Sequence, residues 1–344
     1  MDILGINAFH GDSAAVLLRD GGFEAGIEEE RLNRTKHWAG FPASAIRTVL
    51  AMGATRLSEV PHVAVSRDPS AHLLSKSLFV FRRRPGFAAI RSRLFNVRKV
   101  KDLRSRLQAL DPGFRGTVHN VEHHRAHLAS AFFCSPFEQA ACLTVDGFGD
   151  FLSSMSALGA GRRLEVLDQV VFPHSLGIFY TAVTQFLGFR QYGDEYKVMA
   201  LASYGRPSFL PQMREIARLT EDGRFETEAD YFRHASEGVT MTWEDGQPTL
   251  GPLWSPRFEE AFGPPRDPDS ELTERHHDLA ASLQAMYEEA FFHRLRWLQR
   301  KTGMKHLCLA GGCAFNSVAN GKIFSRTSFT DVFVQPAAGD AGRP

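Results

Sequence analysis

The sequence predicts an α/β protein with two similar lobes around a central cleft. An apolar strand, an acidic glycine-containing turn and returning strands occur twice, with the turn F-H-G-D at residues 9–12 and the turn G-F-G-D at residues 147–150. Amphipathic helical segments follow each of these units. Two copies of this order of elements indicate two ribonuclease-H-like lobes, and 344 residues are enough to build both.

Lobe 1, at about residues 1–120, opens with a predicted three-stranded meander. Apolar runs place its strands at Ile3–Asn7, Ala14–Arg19 and Phe23–Glu28, with a D-G-G turn between the last two. The pattern then predicts a helix at Pro42–Met52 and a strand at His62–Ser66. Residues 82–106 carry ten Lys and Arg residues against one acid, Asp102. We interpret this basic segment as a solvated helical insertion rather than an RNA-binding face.

Lobe 2, at about residues 121–344, repeats the opening with strands at Ala140–Asp146, Leu152–Leu158 and Leu164–Phe172. Apolar periodicity then predicts helices at Ser175–Leu187, Glu195–Ser203, Pro207–Leu219, Ser270–Lys301 and Asn316–Phe324. Two further strands are placed at His306–Ala310 and Asp331–Gln335. Residues 221–269 are rich in Asp, Gly, Pro and Trp, which predicts an irregular insertion.

The composition is that of a globular protein that has no general affinity for nucleic acid or membranes. Apolar residues make up 43% and charged residues 23%, and the formal net charge is +1. The four cysteines form no C-x-x-C pair, so we expect reduced thiols. Because the N-terminus lacks the pattern of a signal peptide, a cytoplasmic location is expected.

The clearest candidate for chemistry is a metal site in the segment V-E-H-H-R-A-H. His123 and His127 are four residues apart and would lie on one face of a helix. Asp146, at the tip of the following strand, would complete a two-His-one-carboxylate site with open positions for substrate. His119 and His123 have the same spacing, so periodicity alone leaves the choice between the two pairs open.

Two glycine turns at strand ends are weaker candidates. Gly311 and Gly312 stand between a strand and a helix, where backbone N–H groups are able to bind a phosphate, and Asn316 follows on that helix. A glycine-capped turn with only a structural role explains the same pattern. Asp340 lies in a second acidic glycine turn, Q-P-A-A-G-D-A-G. The charges in E-E-E-R-L-N-R-T-K-H, which include Lys36, are those of an ordinary surface when taken singly.

Six motifs in order resemble one known family. They are I-L-G-I-N-A-F-H-G-D-S-A-A, E-E-E-R-L-N-R-T-K-H-W-A-G-F-P, E-H-H-R-A-H-L-A-S-A-F-F, G-D-E-Y-K-V-M-A-L-A-S-Y-G, G-G-C-A-F-N-S-V-A-N-G-K-I and P-A-A-G-D-A-G. Together, from residue 3 to residue 342, they are similar to the nodulation-factor and antibiotic O-carbamoyltransferases. The resemblance implies a fold of the actin, sugar-kinase and heat-shock chaperone superfamily, in line with the two lobes.

The resemblance also implies a site and a reaction. His123, His127, Asp146 and Asp340 would bind a divalent metal, Fe²⁺ with Zn²⁺ as the alternative. The resemblance therefore favours the pair His123 and His127 over the pair His119 and His123. ATP-derived carbamoyl-adenylate would be held by a group of five residues, namely Asp12, Lys36, Gly311, Gly312 and Asn316. His10 would sit beside the carbamoyl group as general base for a hydroxyl of a small-molecule acceptor, such as a sugar, an antibiotic or a nodulation factor.

The sequence departs from the family at its end. Full-length carbamoyltransferases continue past G-D-A-G with a closing helix and a second domain that makes carbamoyl-adenylate from carbamoyl phosphate and ATP, whereas this chain stops at Pro344. We therefore expect the last lobe to be incomplete, the second domain to be absent, and the chain alone to be inactive with carbamoyl phosphate and ATP.

Three other classes of protein share parts of this pattern. An actin-like or sugar-kinase-type ATP phosphotransferase shares the fold but uses carboxylates with magnesium and has no need of paired histidines. An inactive truncated binding subunit is the second alternative. A zinc protease is disfavoured because its helix needs Glu after the first His, and here His124 stands at that position.

Overall fold

A computed structural model describes residues 1–83, 102–239, 241–242 and 246–344. Most of the basic segment, residues 84–101, lies outside these residues. The described strands are β1 (Asp2–Asn7), β2 (Ala14–Arg19), β3 (Gly22–Glu28), β4 (His62–Val65), β5 (Thr117–Asn120), β6 (Gln139–Gly149), β7 (Leu152–Ala160), β8 (Arg163–Val171), β9 (Ala217–Leu219), β10 (Phe225–Thr227), β11 (Met241–Thr242), β12 (Thr249–Leu250), β13 (His306–Ala310) and β14 (Asp331–Val334).

Helices alternate with these strands. The described α-helices are α1 (Glu29–Asn33), α2 (Ala43–Met52), α3 (Leu73–Arg83), α4 (Leu103–Leu110), α5 (His123–Phe133), α6 (Leu176–Phe186), α7 (Glu195–Leu201), α8 (Leu210–Ile216), α9 (His234–Glu237), α10 (Pro256–Phe262), α11 (Glu274–Thr302), α12 (Ser317–Asn320) and α13 (Ile323–Arg326). Among the described residues, no helix is both long enough and apolar enough to cross a membrane.

Two five-stranded sheets have the same topology. The first has the order β3-β2-β1-β4-β5 and the second the order β14-β13-β6-β7-β8. In the first sheet β1 is antiparallel to β2 and parallel to β4, and in the second β6 is antiparallel to β7 and parallel to β13. Each sheet therefore has a three-stranded meander followed by two parallel strands, which confirms the prediction of two ribonuclease-H-like lobes.

The second sheet is buried on both faces. In β13, Leu307 and Leu309 pack into the core that also contains α6 and α11, whereas Cys308 and Ala310 pack into the core below α5. Alternate side chains of a strand point to opposite faces, so a continuous apolar run is required here. This two-sided burial fixes the carboxyl ends of β6 and β13 at one edge of the lobe.

Three predicted helices of lobe 2 differ from the structure. Helix α11 begins four residues later than predicted because Thr273 caps it together with His276. The helix predicted at Pro207–Leu219 ends at Ile216, because the next three residues form strand β9 and pair with β10. The helix predicted at Asn316–Phe324 is divided into the short helices α12 and α13.

Candidate metal centre

The N-terminus of α5 places the two histidines. The carboxylate of Glu122 accepts hydrogen bonds from the backbone N–H groups of His124 at 3.1 Å and Arg125 at 2.8 Å, so the helix begins at His123. His127 follows one turn later on the same face, and both histidines are buried, with 3% and 0% of their surface exposed.

The competing pair is excluded by the same helix start. His119 belongs to β5, outside the helix, so its spacing of four residues from His123 does not bring the two onto one face. His119 is exposed and its Nε2 lies 3.1 Å from Nδ1 of His62 on the neighbouring strand. The structure therefore brings His127, not His119, next to His123.

Asp146 connects both histidines. Its Oδ2 lies 3.0 Å from Nε2 of His123 and 3.0 Å from Nε2 of His127. Its other oxygen accepts the backbone N–H of Gly147 at 2.7 Å and that of Gly312 at 3.3 Å. These two hydrogen bonds from backbone N–H groups hold the carboxylate in one orientation, with Oδ2 facing α5.

Asp340 closes the group from the last turn of the chain. Its Oδ1 lies 3.6 Å from Nε2 of His127, and its Oδ2 pairs with Nδ1 of His10 from the F-H-G-D loop. The ligand atoms of His123, His127, Asp146 and Asp340 all lie within 4.8 Å of one another. Side chains that are separated by up to 217 residues thus converge on one point.

The donor set fits a divalent transition metal. Two ligand atoms about 2.1 Å from an ion and at right angles to each other are about 3.0 Å apart, which agrees with the 3.0 Å between Asp146 and each imidazole. Two imidazoles with carboxylates suit Fe²⁺ or Zn²⁺ better than magnesium, which prefers oxygen ligands.

The charges in the group also suit a metal. Burial and the Arg343 guanidinium hold the pKa of His123 well below its usual range, so its imidazole is neutral. Burial opposes ionisation of Asp146, but its hydrogen bonds to His123 and His127 outweigh this and keep its pKa well below the usual value. Burial disfavours the charged form of His127, yet the bonds to Asp146 and Asp340 raise its pKa.

Arg343 is a further charged group at this centre. Its guanidinium is buried, lies 2.9 Å from Asp340 Oδ1, and donates to Ser66 O and Asn7 Oδ1, both at 3.2 Å. It also donates to Nδ1 of His123, so in this structure the proton of that imidazole lies on Nε2, facing Asp146. Ligation of a metal through Nε2 therefore requires the guanidinium to release Nδ1. Arg343 was not among the residues singled out in the sequence.

The residues predicted to hold a nucleotide are not all brought together. Gly311 has a φ of 90°, and a Cβ there would lie 2.4 Å from Val145 O, so glycine is required for the turn to pack on β6. Gly312 contacts the centre through Asp146. Lys36 is exposed. Asp12 lies 2.6 Å from His37, a residue that the sequence analysis did not select.

Asn316 points into the protein. Its amide donates to Gln284 Oε1 at 2.9 Å and accepts from Gln284 Nε2 at 3.0 Å, and it caps α12 through the backbone N–H of Ala319. Asn320 donates to Ala314 O at 2.7 Å. Both amides are therefore bonded within lobe 2.

A family model described as Carbamoyltransferase N-terminus matches residues 86–344. The chain belongs to this family. The match covers the four clustered ligand candidates and the Gly311-Gly312 turn. The carbamoyltransferase resemblance inferred from the six motifs is thereby confirmed.

Known relatives match nearly the whole chain. Uncharacterized protein sll1178 of Synechocystis is 36% identical, over 99% of this chain and 55% of its own length. Nodulation protein NolNO of Sinorhizobium fredii is 34% identical, over 98% of this chain and 45% of its own length. The chain thus spans about half the length of these relatives. A solved structure of T. kodakarensis HypF aligns over 99% of this chain and 46% of its own, with a TM-score of 0.46 and 12% identity.

Proposed function

We propose that this chain holds the transfer site of an O-carbamoyltransferase, where the carbamoyl group of carbamoyl-adenylate passes to a hydroxyl of a small molecule. The observation that carries the proposal is the convergence of two imidazoles and two carboxylates in a member of the carbamoyltransferase family. Carbamoyl-adenylate would be supplied from carbamoyl phosphate and ATP by a separate domain. Two relatives are named nodulation proteins, which supports an acceptor of the nodulation-factor type.

The four ligands would hold Fe²⁺ or Zn²⁺, and such an ion supplies Lewis acidity that polarises an oxygen of the mixed anhydride. The protein's part is to keep the site rigid. His123 and His127 are held by a capped helix, and Asp146 by the backbone N–H groups of Gly147 and Gly312. Side chains fixed in this way lose little freedom when substrate binds.

His10 is the candidate general base. It pairs with Asp340 and its side chain is 23% exposed, so it lies beside the metal ligand candidates and is still partly accessible. In the reaction, the acceptor oxygen bonds to the carbamoyl carbon, the bond from that carbon to the phosphate oxygen breaks, and AMP leaves as the anion. The hydroxyl proton passes to the imidazole.

Backbone donors and a lysine are the candidates for holding the adenylate phosphate. Gly311 and Gly312 form the turn above β6, and Lys36 is exposed on lobe 1. Because Asn316 is bonded to Gln284, we assign it the structural role of shaping this turn rather than a direct contact. An ATP phosphotransferase is a poorer fit, since magnesium and phosphate chemistry give no role to His123 and His127.

Replacing His10 by Ala tests the base directly. We expect transfer to fall by about 10²- to 10⁴-fold, the usual contribution of a general base, while bound metal stays equimolar. AMP release from synthetic carbamoyl-adenylate and elemental analysis of the same sample measure the two quantities. His119→Ala, an exposed histidine on β5, serves as the control. Equal loss of metal and activity in His10→Ala would show that His10 supports the metal instead.

A further inference from the structure

A second imidazole–carboxylate pair, outside the four ligand candidates, lies in lobe 1. His37 Nδ1 lies 2.6 Å from Asp12 Oδ1, and the backbone N–H of His37 donates to Glu30 Oε2 at 2.7 Å. The two side chains are 19% and 24% exposed. Asp12 belongs to the F-H-G-D loop and His37 to the segment after α1, so two separate parts of lobe 1 form the pair.

The backbone around the pair is held in an unusual conformation. Phe9, Asp12 and His37 have φ values of 58°, 58° and 55°. Non-glycine residues seldom adopt this region, and the strain persists only where the surrounding structure requires it, often at functional sites. Asn7 fixes the loop by donating to the carbonyl groups of Gly11 and Asp12 at 3.1 and 3.0 Å.

Residues of lobe 2 pack against His37 without forming a hydrogen bond to its Nε2 atom. The ring of Tyr192 packs edge-on against His37 at a centroid distance of 5.2 Å. A Cβ at Gly193 would lie 2.7 Å from His37 Nε2, so a side chain there would cover this nitrogen, and glycine does not. Among the described residues, none forms a hydrogen bond to Nε2, whereas Nδ1 is bound to Asp12.

The pair lies close to the metal centre but does not share its ligands. The buried hydroxyl of Tyr192 sits over Gly11, the residue between His10 and Asp12. Burial raises the pKa of Tyr192, and the charges of Asp12, Asp340 and Asp146 raise it further. Tyr192 therefore lies within electrostatic reach of both the pair and the metal ligands.

We propose that Asp12 and His37 form a positioning pair of the transfer site, in which Asp12 orients the imidazole and the neutral His37 Nε2 accepts a hydrogen bond from the acceptor hydroxyl. The inference rests on the function proposed above. The hydroxyl proton still passes to His10, and no covalent bond forms or breaks at His37. An imidazole that is oriented by a carboxylate through Nδ1 is the arrangement by which many enzymes activate a hydroxyl.

Asp12 and His37 are not among the four clustered ligand candidates of the metal centre. With Glu30 they form a separate group whose ligand atoms also lie within 4.8 Å of one another. Titration of His37 with and without Zn²⁺ therefore distinguishes a carboxylate-oriented imidazole from a metal ligand.

Several charged groups face His37, and their signs determine its titration. They are Asp12 from the F-H-G-D loop, Glu30 from α1, Lys36 from its own segment, and Tyr192 and Glu195 from lobe 2. Burial disfavours the imidazolium, but the hydrogen bond and charge of Asp12 outweigh burial and raise the pKa of His37. Removing the Asp12 charge must therefore lower this pKa and extend the neutral imidazole to lower pH.

The experiment compares Asp12→Asn and His37→Gln with wild type, all loaded with Zn²⁺. AMP release from synthetic carbamoyl-adenylate, with methanol as hydroxyl acceptor, is measured from pH 5 to 9. We expect at least about a 10-fold loss of the maximal rate in both variants. In Asp12→Asn the acidic limb of the profile should also move to lower pH by about one pH unit, which loss of structure alone would not produce. His119→Gln is the matched control.

A second readout needs no activity. The imidazole of His37 is titrated by NMR in wild type and Asp12→Asn, with and without Zn²⁺, and its signals are assigned by their absence in His37→Gln. A pKa above 6.5 that is lowered by Asp12→Asn and unchanged by Zn²⁺ supports the pair. Unchanged titration in Asp12→Asn, or rates within twofold of wild type in both variants, overturns it. If wild type releases no AMP at all, the proposed function fails, and with it the positioning role of His37.

Discussion

Asp146→Asn is expected to lose its bound metal and, with it, carbamoyl transfer. Asp146 Oδ2 is the one atom that lies 3.0 Å from both imidazoles of the cluster. The substitution keeps the shape of the side chain but removes the negative charge. Even partners of metal ligands contribute about 10- to 100-fold to affinity, so loss of a ligand should exceed about 100-fold. Zn²⁺ titration calorimetry and elemental analysis after dialysis measure the effect.

The control for this substitution is Asp331→Asn, which changes an exposed carboxylate at the start of β14 in the same lobe. It should bind metal like wild type. Equimolar metal in Asp146→Asn after dialysis would exclude Asp146 as a required ligand. Thermal unfolding of both variants separates loss of metal from loss of fold.

Arg294→Met is expected to destabilise lobe 2 by about 3–5 kcal/mol, the range for removing one partner of a buried ion pair. Arg294 lies on α11, is fully buried, and binds Asp168 on β8 through both of its terminal nitrogens, one at 2.8 Å from Oδ1. It also donates to Ser156 Oγ at 2.6 Å and Gly223 O at 3.3 Å. Without it, a carboxylate and two further acceptors lose their donors.

Urea denaturation measures this change in the free energy of unfolding. Arg296→Met is the matched control, since Arg296 is exposed on the same helix two residues away, and it should change stability by less than about 0.5 kcal/mol. A loss below about 1 kcal/mol in Arg294→Met would contradict the view that this ion pair joins α11 to the sheet.

The repeated architecture could be predicted because both lobes open with the same local signals. The apolar strands and acidic glycine turns around residues 9–12 and 147–150 are short-range patterns, and the observed strands β1–β3, β7 and β8 lie close to where these patterns place them. Strand β6 continues to Gly149, so the second turn begins later than predicted. Helix ends were harder to place, since they depend on contacts that sequence spacing does not show. Ala217–Leu219 forms a strand rather than the end of a helix because it pairs with β10.

The metal centre was only partly predictable from residue types. Spacing left two histidine pairs open, because it assumes a helix that passes through residue 119, whereas the cap at Glu122 begins α5 after β5. Asp340 was predicted as a ligand only through the family resemblance. It lies nearly 200 residues from Asp146, and nothing in its local sequence indicates that the two are close in space. Chain topology brings it there: β14 and β6 flank β13 in one sheet.

His37 and Arg343 were missed for a similar reason. Each is an ordinary charged residue in the sequence, and only the fold brings His37 to Asp12 and Arg343 to His123. The family resemblance assigned the Asn316 amide to the adenylate, but that amide forms hydrogen bonds with Gln284 of α11 instead. Buried polar partners from distant elements therefore decide which side chains remain open to a substrate.

The central claim is that a metal held by His123, His127, Asp146 and Asp340 supports carbamoyl transfer. The most direct measurement is AMP release from synthetic carbamoyl-adenylate by the Fe²⁺- or Zn²⁺-loaded chain, before chelation, after chelation and after the metal is restored. We expect release that stops on chelation and returns with the metal, and none in Asp146→Asn. Release that is unaffected by chelation, or ATP hydrolysis with magnesium alone, would contradict the claim.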